Sequence, residues 1–243
     1  MNFIHFVVLT VVYATIGSAA TLSYAAEPDT KAQCQAPLLK EAQEILPVLT
    51  DALKVPPESL PAEQTIDTVK QRLIVMGKAD QDIQQIAIRD IQTCKVKFGS
   101  PDMLEVMAYG RDISNTTRTE LRKILTKTGW PVISIYGEEA DKAAFLIVQH
   151  ADRDTELQHM ALQLLEPLAR RGETDKENYA LLFDRVRVNA GQAQRFGTQG
   201  SCKKHRWITD KTENPRGLDR RRASFNLPAM KEYVKQAQHM YCQ

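Results

Sequence analysis

The chain has little of what usually identifies a protein. Its four cysteines form no CxxC pair, which excludes a zinc ribbon or a thioredoxin-like motif. Glycine and proline number 11 each, too few for a collagen-like or Pro/Gly-rich low-complexity chain. Charge of one sign is missing: 32 basic residues against 30 acidic leave +2, so a strongly basic nucleic-acid binder is not implied and no nucleic-acid partner is expected. There is no HExxH, DxDxDG, GxGxxG, GxxxxGK[ST] or GxSxG pattern. His150 and His159 are nine apart, so they do not share a helix face as i, i+4 zinc ligands would, and His205 and His239 lie in a basic tail. No metal site and no cofactor are expected. What is present, 43% hydrophobic and 26% charged residues, fits an ordinary globular protein with a sizeable core.

The only window apolar enough to cross a membrane is at the N-terminus. Phe3 to Tyr24 carries no acidic or basic side chain beyond His5, and small residues crowd its end. It reads as a secretory h-region, with Ser23-Tyr24-Ala25 obeying the small-x-Ala rule, so residues 1–25 are expected to be a signal peptide cut after Ala25. The protein is then periplasmic or secreted. The alternative is an uncleaved single anchor, the one case in which the membrane is a partner. Export makes an even number of cysteines read as disulfides. Four cysteines allow three connectivities; Cys34–Cys94 with Cys202–Cys242 is preferred, because each joins segments from one end of the chain. Four reduced, buried thiols are the alternative.

Past residue 25 the pattern is helical nearly throughout. Leu38, Leu39, Ala42, Ile45, Leu46 and Leu49 recur at three- and four-residue steps. Pro56-Pro57 ends that helix and Pro61 opens the next, which continues through Ile91. A third follows Gly99-Ser100-Pro101 and stops at Thr128-Gly129-Trp130-Pro131. Val132 to Tyr136 is expected to be an extended connection. Helices then start at Gly137-Glu138-Glu139, at an Asp154 cap and at a Thr174 or Asp175 cap, with a last one from about Pro228 to Met240. Residues 191–217 show no apolar period and read as a long Gly-rich loop. The expectation is an all-α protein, a single compact multi-helix domain. A helical segment, 26–100, packs on the part that carries the polar motifs, 101–243.

Several polar residues sit where apolar ones belong. His150 prolongs the stripe of Ala143, Leu146 and Ile147, beside Gln149, Asp152 and Asp154. It reads either as an oriented general base or as a core histidine with a bonded ring nitrogen. Asp184 shares a helix face with Leu181 and Val188, so it needs a partner; Arg187, Arg221 and His150 are candidates, and a structural ion pair is the alternative. Gln192, Gln194, Gln199 and Thr198 make one loop a polar-recognition surface. From Gln199 onward ten basic residues face four acids, enough to hold a phosphate or carboxylate, or else simply a solvated face.

Taken in order, these motifs form a series: Asp112-Ile113-Ser114-Asn115, Gly129-Trp130-Pro131, Gln149-His150-Ala151-Asp152 and Asp184-Arg185-Val186 come first. Gly191 to Gln199, Arg221-Arg222 and Leu227-Pro228 complete it. The series resembles a bacterial domain family of unknown function marked by D..N, GWP, QHAD, DRV and G.PQ.YGTQ, then a late RR. Phe196 stands where that family usually has Tyr, and Ala193 where it often has Pro. The resemblance carries no known reaction, but its polar positions suggest a shared pocket. His150, Asp184 and Asp152 are the candidate catalytic residues. Gln149, Arg185, Gln194, Gln199 and Arg221 are the candidates for binding substrate. Three functions compete: a metal-independent hydrolase or transferase, a non-catalytic periplasmic ligand-binding or interaction domain, and a buried network that only specifies packing. A small anionic or polar ligand suits the arginines and glutamines; any other partner is unknown.

Overall fold

Three long helices lead the chain: α1, Lys31–Ala52, α2, Ala62–Gln92, and α3, Pro101–Thr128. The structure, a computed structural model, describes residues 31–55, 62–92, 94 and 99–242. The expected signal peptide, the Pro56-Pro57 break and the Cys34 side chain lie outside the described residues. Among the described residues no helix is long and apolar enough to cross a membrane.

Two compact units divide the chain, neither continuous in sequence. The first takes the described residues of Met1–Lys54 together with Lys78–Thr116. It buries Leu38, Ala42 and Leu49 of α1 with Ile83, Ile86, Met103, Val106 and Ile113, the positions that the three- and four-residue spacing marks as apolar.

The second unit, Val55–Gly77 with Thr117–Gln243, carries every other element. A single turn, α4, Ile133–Tyr136, leads to α5, Glu138–Gln149. The extended connection expected over 132–136 is therefore a helical turn. Ile133 N–H donates to the Glu173 carbonyl at 3.0 Å, and Tyr136 and Gly137 fold back onto Val132 and Ile133. Two helices capped as the sequence suggests come next. Asp154 accepts from Leu157 N–H at the start of α6, Thr155–Arg171, and Asp175 accepts from Glu177 N–H at the start of α7, Lys176–Asn189. An added Cβ on Gly77 would lie 2.5 Å from the Ala143 Cβ, so α2 and α5 approach as closely as glycine against alanine permits. The Arg72–Glu120 ion pair, 2.6 Å, is buried in this unit.

The 191–217 stretch is not one loop. Gly200–Lys203 and Arg206–Thr209 form an antiparallel hairpin, β1 and β2, with Lys203 paired to Arg206. Its two turn residues, Lys204 and His205, both have positive φ, as a type I′ turn requires, but neither is the Asn or Gly that announces one. A 3-10 turn, Pro215–Gly217, then leads into α8, Leu218–Ala223, and the chain ends on α9, Met230–Tyr241. A disulfide joins Cys202 of β1 to Cys242 just past α9, with Cα atoms 5.5 Å apart. Cys94 is also disulfide-bonded.

Candidate functional site

Asp184 is fully buried in the middle of α7. Its Oδ1 accepts from Arg195 N–H at 2.6 Å and Phe196 N–H at 3.0 Å. Its Oδ2 accepts from Thr198 N–H at 2.9 Å and the Thr198 hydroxyl at 3.0 Å. Burial pushes this carboxyl above its ordinary value, and the amides of Thr198, Phe196 and Arg195 pull it back. The side chains expected to partner it were Arg187, Arg221 and His150; a loop backbone does so instead. An acid on an apolar helix needs donors, and three amides of one loop supply them directly.

The carbonyls of the same loop point to Arg222, the largest fully buried side chain among the described residues. Its Nη1 donates to Phe196 O at 2.6 Å, its Nε to Pro228 O at 2.6 Å, and the guanidinium lies 4.6 Å from the Tyr233 ring centre. The Tyr233 hydroxyl donates to Thr198 O at 2.5 Å, and burial pushes its pKa up to about 12. Peptide groups 195–198 are thus held between an anion and a cation. Gly197 passes through with φ +71°, and an added Cβ would sit 3.0 Å from the Met230 sulfur, so no other residue fits without strain. Gln194 closes the loop: Nε2 donates to Gln199 O and Asp210 O, and Oε1 accepts from Gln199 N–H, all at 2.8–2.9 Å. Gln199 Nε2 reaches the Thr198 hydroxyl at 3.0 Å. All three nitrogens of Arg221 go to backbone carbonyls, of Arg195, Asn214 and Glu213.

A second cluster forms at the C-terminal end of α5. The Arg185 fork grips both carboxylate oxygens of Asp152, with Nε–Oδ1 at 2.6 Å and Nη2 on Oδ2, and both side chains are buried. Asn189 Nδ2 adds a bond to Oδ1 at 2.8 Å, and Gln158 bridges from the Val148 carbonyl toward the same oxygen. His150 is the C-cap of α5, its N–H on Leu146 O at 3.1 Å; the residue is partly exposed, but its ring Nε2 is buried, as the stripe pattern implies. Gln149 is 8% exposed, yet its Oε1 is buried and accepts no hydrogen bond among the described residues.

The candidate residues therefore fall in two groups that meet on α7, where Asp184 and Arg185 are consecutive. Asp184, Gln194 and Gln199 belong to the clasped loop; Gln149, His150, Asp152 and Arg185 belong to the end of α5. Among the described residues, no three His, Cys, Asp or Glu side chains are grouped to hold a metal.

A third hub centres on Asp141, an acid the sequence reading did not single out, though it did name Trp130, Thr174 and Asp175. Asp141, 1% exposed, accepts from Trp130 Nε1 and the Thr174 hydroxyl, each at 2.6 Å. It also accepts from Asp175 N–H at 3.2 Å and Asn178 Nδ2 at 3.3 Å. A signal for it exists: residues 143–148 are apolar all round, so α5 is a buried helix and an acid in its first turns cannot be solvated. Burial raises the Asp141 pKa, against the Thr174, Trp130 and Asp175 bonds. A raised folded-state pKa means the native state holds the proton more tightly, so this group's contribution falls as pH rises above 3.8, the ordinary value. Asp141→Asn is expected to lower stability overall while flattening that dependence. Urea midpoints from pH 4 to 7 check it, and an unchanged slope would refute it.

No curated protein and no solved structure matches the chain. A family sequence model does. Residues 67–243, which include the clasped loop and both acid clusters, match the family of unknown function DUF6624, and the chain belongs to that family.

Proposed function

We propose that this is an exported bacterial protein whose working site is the C-terminal end of α5, and that it carries out hydrolysis or group transfer there by acid–base chemistry at His150. The observation that carries the reading is the Gln149 side chain, buried with its carbonyl oxygen unpartnered, next to a partly exposed histidine. Leaving such an oxygen bare costs about 1–3 kcal/mol, a cost that a bound donor would remove. A ligand donor supplies the missing partner. The Asp152–Arg185 pair gives the site a rigid polar floor, so these two are positioning residues, and Asp184 acts at one remove by fixing the 195–198 loop.

The mature chain is assayed with p-nitrophenyl acetate and p-nitrophenyl phosphate. His150→Gln is expected to slow turnover by about 100-fold or more with the unfolding midpoint nearly unchanged. Turnover that survives the substitution ends the catalytic reading. One observation favours a second reading, a non-catalytic ligand-binding domain: Asp184 is occupied by backbone amides and faces no open position. There, neither ester turns over, while a panel of periplasmic metabolites and cell-wall fragments raises the melting temperature of wild type and not of His150→Ala.

A further inference from the structure

We propose that a second site, apart from the end of α5, binds a doubly charged oxyanion between Arg187 and Arg195. Four aromatic rings lie beneath it: Tyr179, Phe183, Phe196 and Phe225, with neighbouring centroids 4.8–6.0 Å apart. The Arg187 guanidinium carbon stands 5.7 Å from the Phe183 ring centre, and that of Arg195 stands 5.9 Å from the Phe196 ring centre. A guanidinium lying on a ring has its face covered and its N–H edge turned outward, the edge that recognises carboxylate or phosphate.

The charges around this edge do not balance. Among the described residues, Glu213 is the one carboxylate paired with either arginine, at 3.7 Å from Arg187 and 3.9 Å from Arg195, both beyond hydrogen-bond length. Arg187 uses Nε on the Ala193 carbonyl at 2.6 Å and keeps both Nη groups. The Arg195 side chain, half exposed, donates no hydrogen bond among the described residues. Arg221, fixed on three carbonyls behind them, adds a third positive charge. Glu213 is thus the one carboxylate facing the guanidinium edges, while Asp184 is engaged with loop amides beneath them. The rim is also rigid where it matters. Arg195 N–H is held by Asp184 and its carbonyl by Arg221, so little backbone freedom is lost when an anion docks. The ligand class is a phosphate monoester or a dicarboxylate, which share the paired oxygens that a guanidinium edge reads.

The test is isothermal titration of the full mature chain with inorganic phosphate and, separately, with succinate. Saturable binding by at least one is expected, with a dissociation constant of about 1 mM or below, and whichever binds more tightly names the class. Arg195→Gln and Arg187→Gln are each expected to weaken it by about tenfold. Glu213→Gln should tighten it several-fold, since the competing carboxylate is gone. His150→Gln should leave it unchanged, which separates this site from the one at the end of α5. No saturable binding of either anion overturns the proposal. So does binding that survives Arg195→Gln, or that weakens in Glu213→Gln.

Discussion

Asp184→Ala is expected to destabilise the protein by about 4 kcal/mol or more. The substitution strips the partner from three loop N–H groups and from the Thr198 hydroxyl, each costing about 1–3 kcal/mol when left buried and bare. It also removes one of the negative charges whose field acts on the fully buried Arg222 guanidinium, after those of Tyr233 and Asp219. These costs overlap, so the losses from separate substitutions should not add. Asp184 holds the N–H groups of the 195–198 loop and Arg222 holds its Phe196 carbonyl, so both fix one short segment. Arg222→Met alone is therefore also severe, while the double variant loses less than the two singles combined. A coupling of about 1–3 kcal/mol from urea unfolding of the four proteins is the expected value. Additive losses, or a loss below about 1 kcal/mol for Asp184→Ala, would show that the loop is not held between two charges.

Replacing both Cys202 and Cys242 by Ser should cost about 4 kcal/mol. The bond closes a stretch of 40 residues, and the loop-entropy relation gives about that value at 25 °C. The loss should be local as well as global. Gln238 on α9 accepts from Trp207 N–H at 2.8 Å and donates to the His205 carbonyl at 2.9 Å, so the disulfide and this side chain together pin the last helix to β2. Without the covalent tie, amide exchange in residues 235–242 should quicken more than in α7. A double-serine variant with wild-type unfolding and exchange would contradict the role given to this bond.

The helices were legible because their signals are local. Leu73 and Met76, Leu157 and Ala161, and Leu165 and Leu168 are buried where the three- and four-residue steps place them; Asp154 caps the helix it was expected to cap, and of Thr174 and Asp175 it is Asp175 that caps the next. The hairpin was not legible, because Lys204 and His205 take positive φ under the demands of strand pairing rather than from any preference of their own. Nor was the short helix at Ile133–Tyr136, where β-branched residues suggest extension and a bond to the Glu173 carbonyl overrides them.

The candidate site divides along the same line. Residue type and helix face sufficed to mark Asp184 as an acid requiring a partner and His150 as a polar group prolonging an apolar stripe; Arg185 was singled out only through the motif resemblance. Pairing Cys202 with Cys242 came from the count of cysteines and their grouping along the chain. Which donors Asp184 takes was decided only in three dimensions. They are backbone amides 11 to 14 residues on, and the amide of a loop has no signature in the identity of its side chain. The same holds for Arg222, read as one member of a basic run and found wholly buried, and for Asp141, not singled out from the sequence and found holding four donors. Periodicity reports how a residue is placed on its own element. The burial and bonding of a charge depend on what other elements cover it, and only the packed structure supplies those.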